Sequence, residues 1–141
     1  MSVELHIFLE PSRLPTRDRW QHELQRAGIP LVLQPPFNPQ LDSGFCPATY
    51  RNAPAGFEYY AYSARDVAVL ADNPHIVSHL GNRNLCATFR WGADLDGMSA
   101  ALAAAATLAK LSDGIYYYPD DGIIYGADEA LQATLQDLEL A

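Results

Sequence analysis

The alternation of apolar and polar side chains divides this chain into short strands and a few helices. Val3, Leu5, Ile7 and Leu9 alternate with Glu4, His6 and Phe8, a period of two that predicts a strand over Val3 to Leu9. Glu10 to Pro15 carries two prolines and reads as a loop. Thr16 then caps a helix reaching about Ala27, because its hydroxyl can accept a free N–H of the first turn. Trp20, Leu24 and Ala27 share one face of it, and Arg17, Asp18, Gln21, Gln25 and Arg26 the other. Gly28-Ile29 ends the helix, and Leu31 to Leu33 forms a short strand. Pro35 to Pro39 opens a proline-rich loop that continues through Cys46-Pro47 to Tyr50-Arg51. Gly56 to Tyr62 reads as a strand with Phe57, Tyr59 and Ala61 toward the core and Glu58, Tyr60 and Tyr62 on the opposite face. Asp66 to Ala71 has room for a helical turn or two, stopped by Asn73-Pro74. Ile76 to Leu80, the turn Gly81 to Asn84 and the following strand pattern read as a hairpin.

The chain is organised around Leu85 to Tyr125, which reads as a strand, a long helix and a hairpin. The strand is Leu85 to Trp91, and the helix runs from about Leu95 to Leu111 with Asp94 or Asp96 as its cap. Leu95, Met98, Leu102, Ala105 and Ala109 recur at steps of three and four, which makes one apolar face. Gly114 is expected to take the left-handed conformation that ends the helix. The opposite face carries Ser99, Ala100, Ala103, Thr107 and Lys110. Such a small-residue face suits either solvent, through helix propensity, or the close approach of another element. Pro119-Asp120-Asp121-Gly122 joins the strands Ile115 to Tyr118 and Ile123 to Tyr125: proline presets φ, and glycine supplies a positive one. Asp128 can cap a C-terminal helix with Leu131, Leu135 and Leu138 on one face. Residues 3–33 and 85–118 both read strand–helix–strand, an echo with ferredoxin-like flavour. The predicted class is α+β: a two-layer sandwich of a mixed or antiparallel sheet packed against two main helices, in one domain over 1–141.

Composition narrows the function. With 49% hydrophobic and 18% charged residues, the chain is globular rather than disordered. A net charge of -8 argues against nucleic acid as a direct ligand, because phosphate contacts need Lys and Arg. It favours a basic partner, or serves solubility alone. Two cysteines, Cys46 and Cys86, make no disulfide framework and are expected to be buried reduced thiols. The N-terminal residues carry no secretory pattern, and no apolar run approaches a membrane span, so a cytoplasmic protein is expected.

Few residues state a chemistry. His75 and His79 are four apart, a spacing for two metal ligands, but Pro74 and Ile76-Val77 argue against a regular helix and no third ligand is near. Cys46 or Ser43 would need a base brought to it by the fold, with His6, His22, His75 and His79 the available histidines. The pairs Asp94/Asp96 and Asp120/Asp121 are explained by a helix cap and a turn. No cofactor and no metal are expected. The remaining signal is aromatic and acidic surface, in the tyrosines at 59, 60, 62 and 116–118.

Three groups of residues together carry a resemblance. They are Arg13-Leu14-Pro15-Thr16 with Trp20-Gln21 and Gly28-Ile29-Pro30, then Ser43-Gly44-Phe45 with Gly56 to Tyr60, then Phe89 to Gly92 with the Ala-rich helix and Asp113 to Gly122. Over about 13 to 125 the chain resembles small bacterial immunity proteins associated with polymorphic toxins such as type VI secretion effectors. The resemblance implies a non-enzymatic protein that binds and neutralises a cognate toxin, by plugging its active site or holding it shut. The partner-facing candidates are Phe37, Arg51, Tyr60, Tyr62, Tyr117, Asp120 and Asp121, as aromatic anchors with an acidic rim. The alternatives are an effector-binding chaperone or adaptor, and a small enzyme using Cys46 or the histidines.

Overall fold

A computed structural model describes residues 3–67 and 73–140. Its elements are β1 (Val3–Leu9), α1 (Arg17–Arg26), β2 (Leu31–Leu33), β3 (Gly44–Cys46), β4 (Ala48–Tyr50), β5 (Ala53–Pro54), β6 (Phe57–Ser63), α2 (Pro74–Leu80), β7 (Leu85–Trp91), α3 (Leu95–Ser112), β8 (Ile115–Tyr118), β9 (Ile123–Tyr125) and α4 (Ala127–Asp137). Six strands form one sheet in the order β3-β6-β7-β1-β8-β9, every neighbouring pair antiparallel. Strands β7 and β8 flank β1 and are joined through α3. The expected α+β class is therefore observed, with the sheet antiparallel rather than mixed.

One face of the sheet, with Leu5, Ile7, Leu9, Phe57, Tyr59, Ala87 and Phe89, carries the main core with α1 and α3. Trp20 of α1 is fully buried and its indole N–H donates to the Ala104 carbonyl of α3 at 3.0 Å. Alanines 100, 101, 103–106 and 109 of α3 are all fully buried. Helix α4 packs along α3, so the small-residue face is a close-packing face and not a solvent face. Alanine lets helix backbones approach, which explains why so little side-chain bulk fills the centre of the molecule.

The other face of the sheet is covered over one half. Phe8, Cys86, Ile115 and Tyr117 pack there with Ile76 and Leu80 of α2.

Local expectations hold at several caps. Thr16 accepts from the Arg19 N–H at 3.2 Å, and Asp94 accepts from Asp96 and Gly97. Gly28 has φ +75° and the Ile29 N–H reaches the Leu24 carbonyl at 2.9 Å, closing α1.

Other expectations are corrected. Pro74–Leu80 is a helix, not the first strand of a hairpin: Pro74 sits at its first turn, where the missing N–H costs nothing. His75 and His79 therefore do share a helix. The left-handed residue after α3 is Asp113, not Gly114. Gly114 is required for another reason, because a Cβ there would fall 2.9 Å from the Phe8 carbonyl oxygen. Asp128 lies in the first turn of α4 and pairs with Lys110, while Gly126 holds the cap position. The loop expected from Pro35 to Arg51 contains β3 and β4. Strand β2 joins β4 and β5 in a separate small sheet, so 3–33 does not repeat 85–118. Of the turn expected over Asp66 to Ala71, Asp66 ends a 3-10 turn (Ala64–Asp66), and residues 68–72 lie outside the described residues. Among the described residues no helix is long and apolar enough to cross a membrane.

Candidate functional site

The seven sequence-predicted residues fall into three places. Phe37 is half-buried against Trp20 and Tyr59, with ring centroids 6.0 Å and 5.2 Å away. Its ring closes the core beside α1, so the proline-rich loop is tied down by an aromatic plug. Phe37 thus serves first as packing and keeps only a partly exposed edge.

Tyr60, Tyr62 and Tyr117 lie on the second face of the sheet. Register sets Glu58, Arg90 and Glu4 in one row across β6, β7 and β1. Tyr60, Thr88, His6 and Tyr117 form the next row, and Tyr62, Cys86 and Phe8 the one after. The side chains are mutually satisfied. The Arg90 Nε–H donates to Glu4 at 3.0 Å, and its guanidinium lies 5.4 Å over the Tyr60 ring. The Tyr60 hydroxyl donates to Glu58. Hydrogen bonds join Thr88 Oγ1 to His6 Nδ1 at 2.8 Å and to Tyr62 Oη at 2.7 Å. Tyr117 is only 5% exposed, so it belongs to the packing under α2 and not to an open surface.

This face also brings a thiol, an imidazole and a carboxylate together. Cys86 Sγ is 3.8 Å from His6 Nδ1, and His6 Nε2 is 3.7 Å from a Glu4 oxygen. The grouping has the order of a nucleophile, base and orienting acid, but not its chemistry. Cys86 is fully buried, and burial pushes its thiol up to about 12, so the thiolate is absent near neutral pH. His6 is 3% exposed, and its imidazole is held below the ordinary range, chiefly by burial. Cys46 is buried too, its thiol likewise pushed up to about 12, chiefly by burial. Both histidines of α2 are exposed, and among the described residues no three His, Cys, Asp or Glu side chains are grouped to hold a metal ion.

Arg51 and Asp121 are brought together elsewhere. They line a shallow hollow of about 730 Å³ between the β4–β5 turn, the start of α3, the β8–β9 turn and the end of α4. Its floor is apolar and aromatic, from Met98, Leu102, Tyr118 and Leu138. Its rim carries the carboxylates of Asp96, Asp121, Asp137 and Glu139, all exposed. Among the described residues none of these four forms a salt bridge. Asp120 sits beside Asp121 on the same exposed turn, with Gly122 at φ +65° closing it. Arg51 stands over the Tyr50 ring at 5.7 Å and is the one cation among the lining residues.

The hollow depends on residues that spacing alone did not single out. Of the two cap candidates Asp94 and Asp96, Asp94 fills the role and Asp96 faces outward. Asp137 and Glu139 reach the hollow because α4 runs back along α3. No spacing in the sequence marks these two acids as neighbours of Arg51 or Asp121.

Comparison of this chain with family models, with curated proteins and with solved structures gives no match.

Proposed function

We propose that this protein is an immunity-type inhibitor that binds a basic toxin through the acidic end of the molecule and neutralises it in the cytoplasm of the producing cell. The observation that carries this is the hollow: an apolar and aromatic floor ringed by four exposed carboxylates that form no salt bridge among the described residues. An apolar centre with a polar rim is the anatomy of a protein interface, and the charge selects a partner rich in Lys and Arg. A toxin acting on nucleic acid or nucleotides has a basic cleft of that kind, and an acidic inhibitor fits it in place of the substrate. The buried thiols and the satisfied histidine favour binding over catalysis.

The test starts from the stoichiometric partner captured from the native lysate. That partner is expressed in a sensitive host with and without this chain. The expected result is growth only when this chain is present, with protection lost on charge reversal of Asp96, Asp120 and Asp121 together. An adaptor for delivery would bind the partner and leave the host unprotected. Protection and affinity unaffected by charge reversal and by salt would refute the electrostatic basis of the proposal.

A further inference from the structure

We infer that Phe45 is the apolar anchor by which this chain docks on its basic protein partner; the inference deepens the inhibitor proposal and rests on it. Phe45 lies on the edge strand β3 and is 67% exposed. Its ring is nevertheless seated. It lies over the backbone of Gly56, so closely that a Cβ added there would fall 2.1 Å from the ring Cζ. The absence of a side chain at Gly56 is therefore what makes the seat. A large ring already held in place loses little freedom when a partner covers it, which is the condition under which exposed aromatics become binding hot spots.

The seat also joins Phe45 to the acidic end. A Cβ on Gly97 would lie 3.3 Å from the Gly56 carbonyl oxygen, so the first turn of α3 abuts the strip on which the ring rests. That turn presents Leu95, 72% exposed, between Asp94 and Asp96. Asp96 in turn lines the hollow. The ring, on the Glu58 side of the sheet by register, thus meets the exposed Leu95 and the carboxylates of Asp94 and Asp96 at one end of the strands. Charge identifies what covers it. A second copy docked through the same patch would bring one acidic set, with Asp94 and Asp96, up against another, and an anionic membrane would repel it. A basic protein surface with an apolar pocket for the ring satisfies both features.

The probe is the purified toxin that the wild-type chain neutralises, and the readout is affinity by calorimetry. F45A is expected to weaken binding by about 30-fold or more, the range of an interface hot spot, without lowering thermal stability, because the side chain is mostly exposed. G56A moves the ring from its seat and is expected to weaken binding when Phe45 is present and to have no effect in the F45A background. F45W adds an exposed indole to two buried ones, and its emission is expected to shift to the blue on complex formation. Unchanged affinity for F45A, with no shift for F45W, would overturn the anchor while neutralisation by the wild type leaves the inhibitor proposal standing. A G56A effect that persists without Phe45 would overturn the seat. A dimer of the chain alone that F45A dissolves would assign the ring to a second copy, and the lack of any partner neutralised by the wild type would overturn both proposals.

Discussion

Replacing Trp20 with Phe should remove about 3 kcal/mol of stability, and each part of that figure can be traced to a contact. The indole is fully buried between α1 and α3, with the Phe37, Tyr59 and Phe89 rings 6.0, 6.1 and 6.0 Å away. Its N–H donates to the Ala104 carbonyl at 3.0 Å. Phenylalanine cannot make that bond. The carbonyl keeps its place in the helix, so the net loss is about 1 kcal/mol, not the larger cost of an orphaned group. The smaller ring leaves roughly 40 Å³ unfilled, which at about 24 cal/mol per Å³ costs about 1 kcal/mol. Roughly 40 Å² less apolar burial costs about 1 kcal/mol more. The alanine-lined wall opposite the indole has little side-chain reach with which to close the gap. Equilibrium urea unfolding followed by far-UV circular dichroism would read this as a midpoint lowered by about 1.5 M, for a slope of about 2 kcal/mol per M. A loss under about 0.5 kcal/mol, the range of surface substitutions, would refute the placement of Trp20 at the α1–α3 contact.

Further expectations concern the second sheet face and the backbone. His6 is held below its ordinary pKa of 6.5, first by burial and then by Arg90, with Glu4 opposing. The unfolded chain therefore takes the proton at a higher pH than the folded one, so stability is full above about 6.5 and falls as pH is lowered through the folded value. Urea midpoints measured from pH 8 to pH 5 should show this fall, with a shallower fall in His6→Gln; a rise toward pH 5 would contradict it. Gly114→Ala should cost about 1–3 kcal/mol, because the added methyl meets the Phe8 carbonyl and Ser112 Oγ at 2.9 Å, whereas Gly92→Ala meets nothing within 4 Å and should be near neutral. Thermal melts separate the two. Cys46 and Cys86, both buried with thiols pushed up to about 12, should resist iodoacetamide at pH 8 in the folded protein and both react after unfolding.

The strands and helices with clear periodicity are legible, as are the core faces of β6 and α1, whereas the setting of the small-residue face of α3 is not. The period of two in Val3 to Leu9 and the three-and-four spacing in Leu95 to Leu111 predicted β1 and α3 closely. The alanines of α3 could not be assigned to solvent or to a neighbour, because alanine favours a helix equally in both settings. Their burial follows from α1, the sheet and α4 all closing on α3, a long-range event. Gly44–Cys46 and Ala48–Tyr50 are too short for a period to register, and prolines at 39 and 47 made them read as loop. Ile76-Val77 misled in the opposite sense: β-branched residues favour a strand locally, but the apolar pair Ile76 and Leu80, one helical turn apart, packs on the sheet. At the candidate site, Asp120 and Asp121 are legible as turn residues and Arg51 as a residue of the long loop. Asp96, Asp137 and Glu139 join Arg51 and Asp121 only through the packing of three distant segments. The exposure of Phe45 cannot be read from the sequence, because a three-residue strand shows no alternation.

The most direct test of the acidic end as the proposed binding surface is hydrogen–deuterium exchange of this chain, free and saturated with the basic protein partner proposed for it. Slower exchange is expected in the segments carrying Phe45, Arg51, Leu95 to Ser99, Tyr118 to Gly122 and Asp137 to Glu139, which surround the hollow and the Phe45 seat. Protection confined to α2 and the sheet face around Tyr60 and Tyr62, with these segments unchanged, would contradict the account.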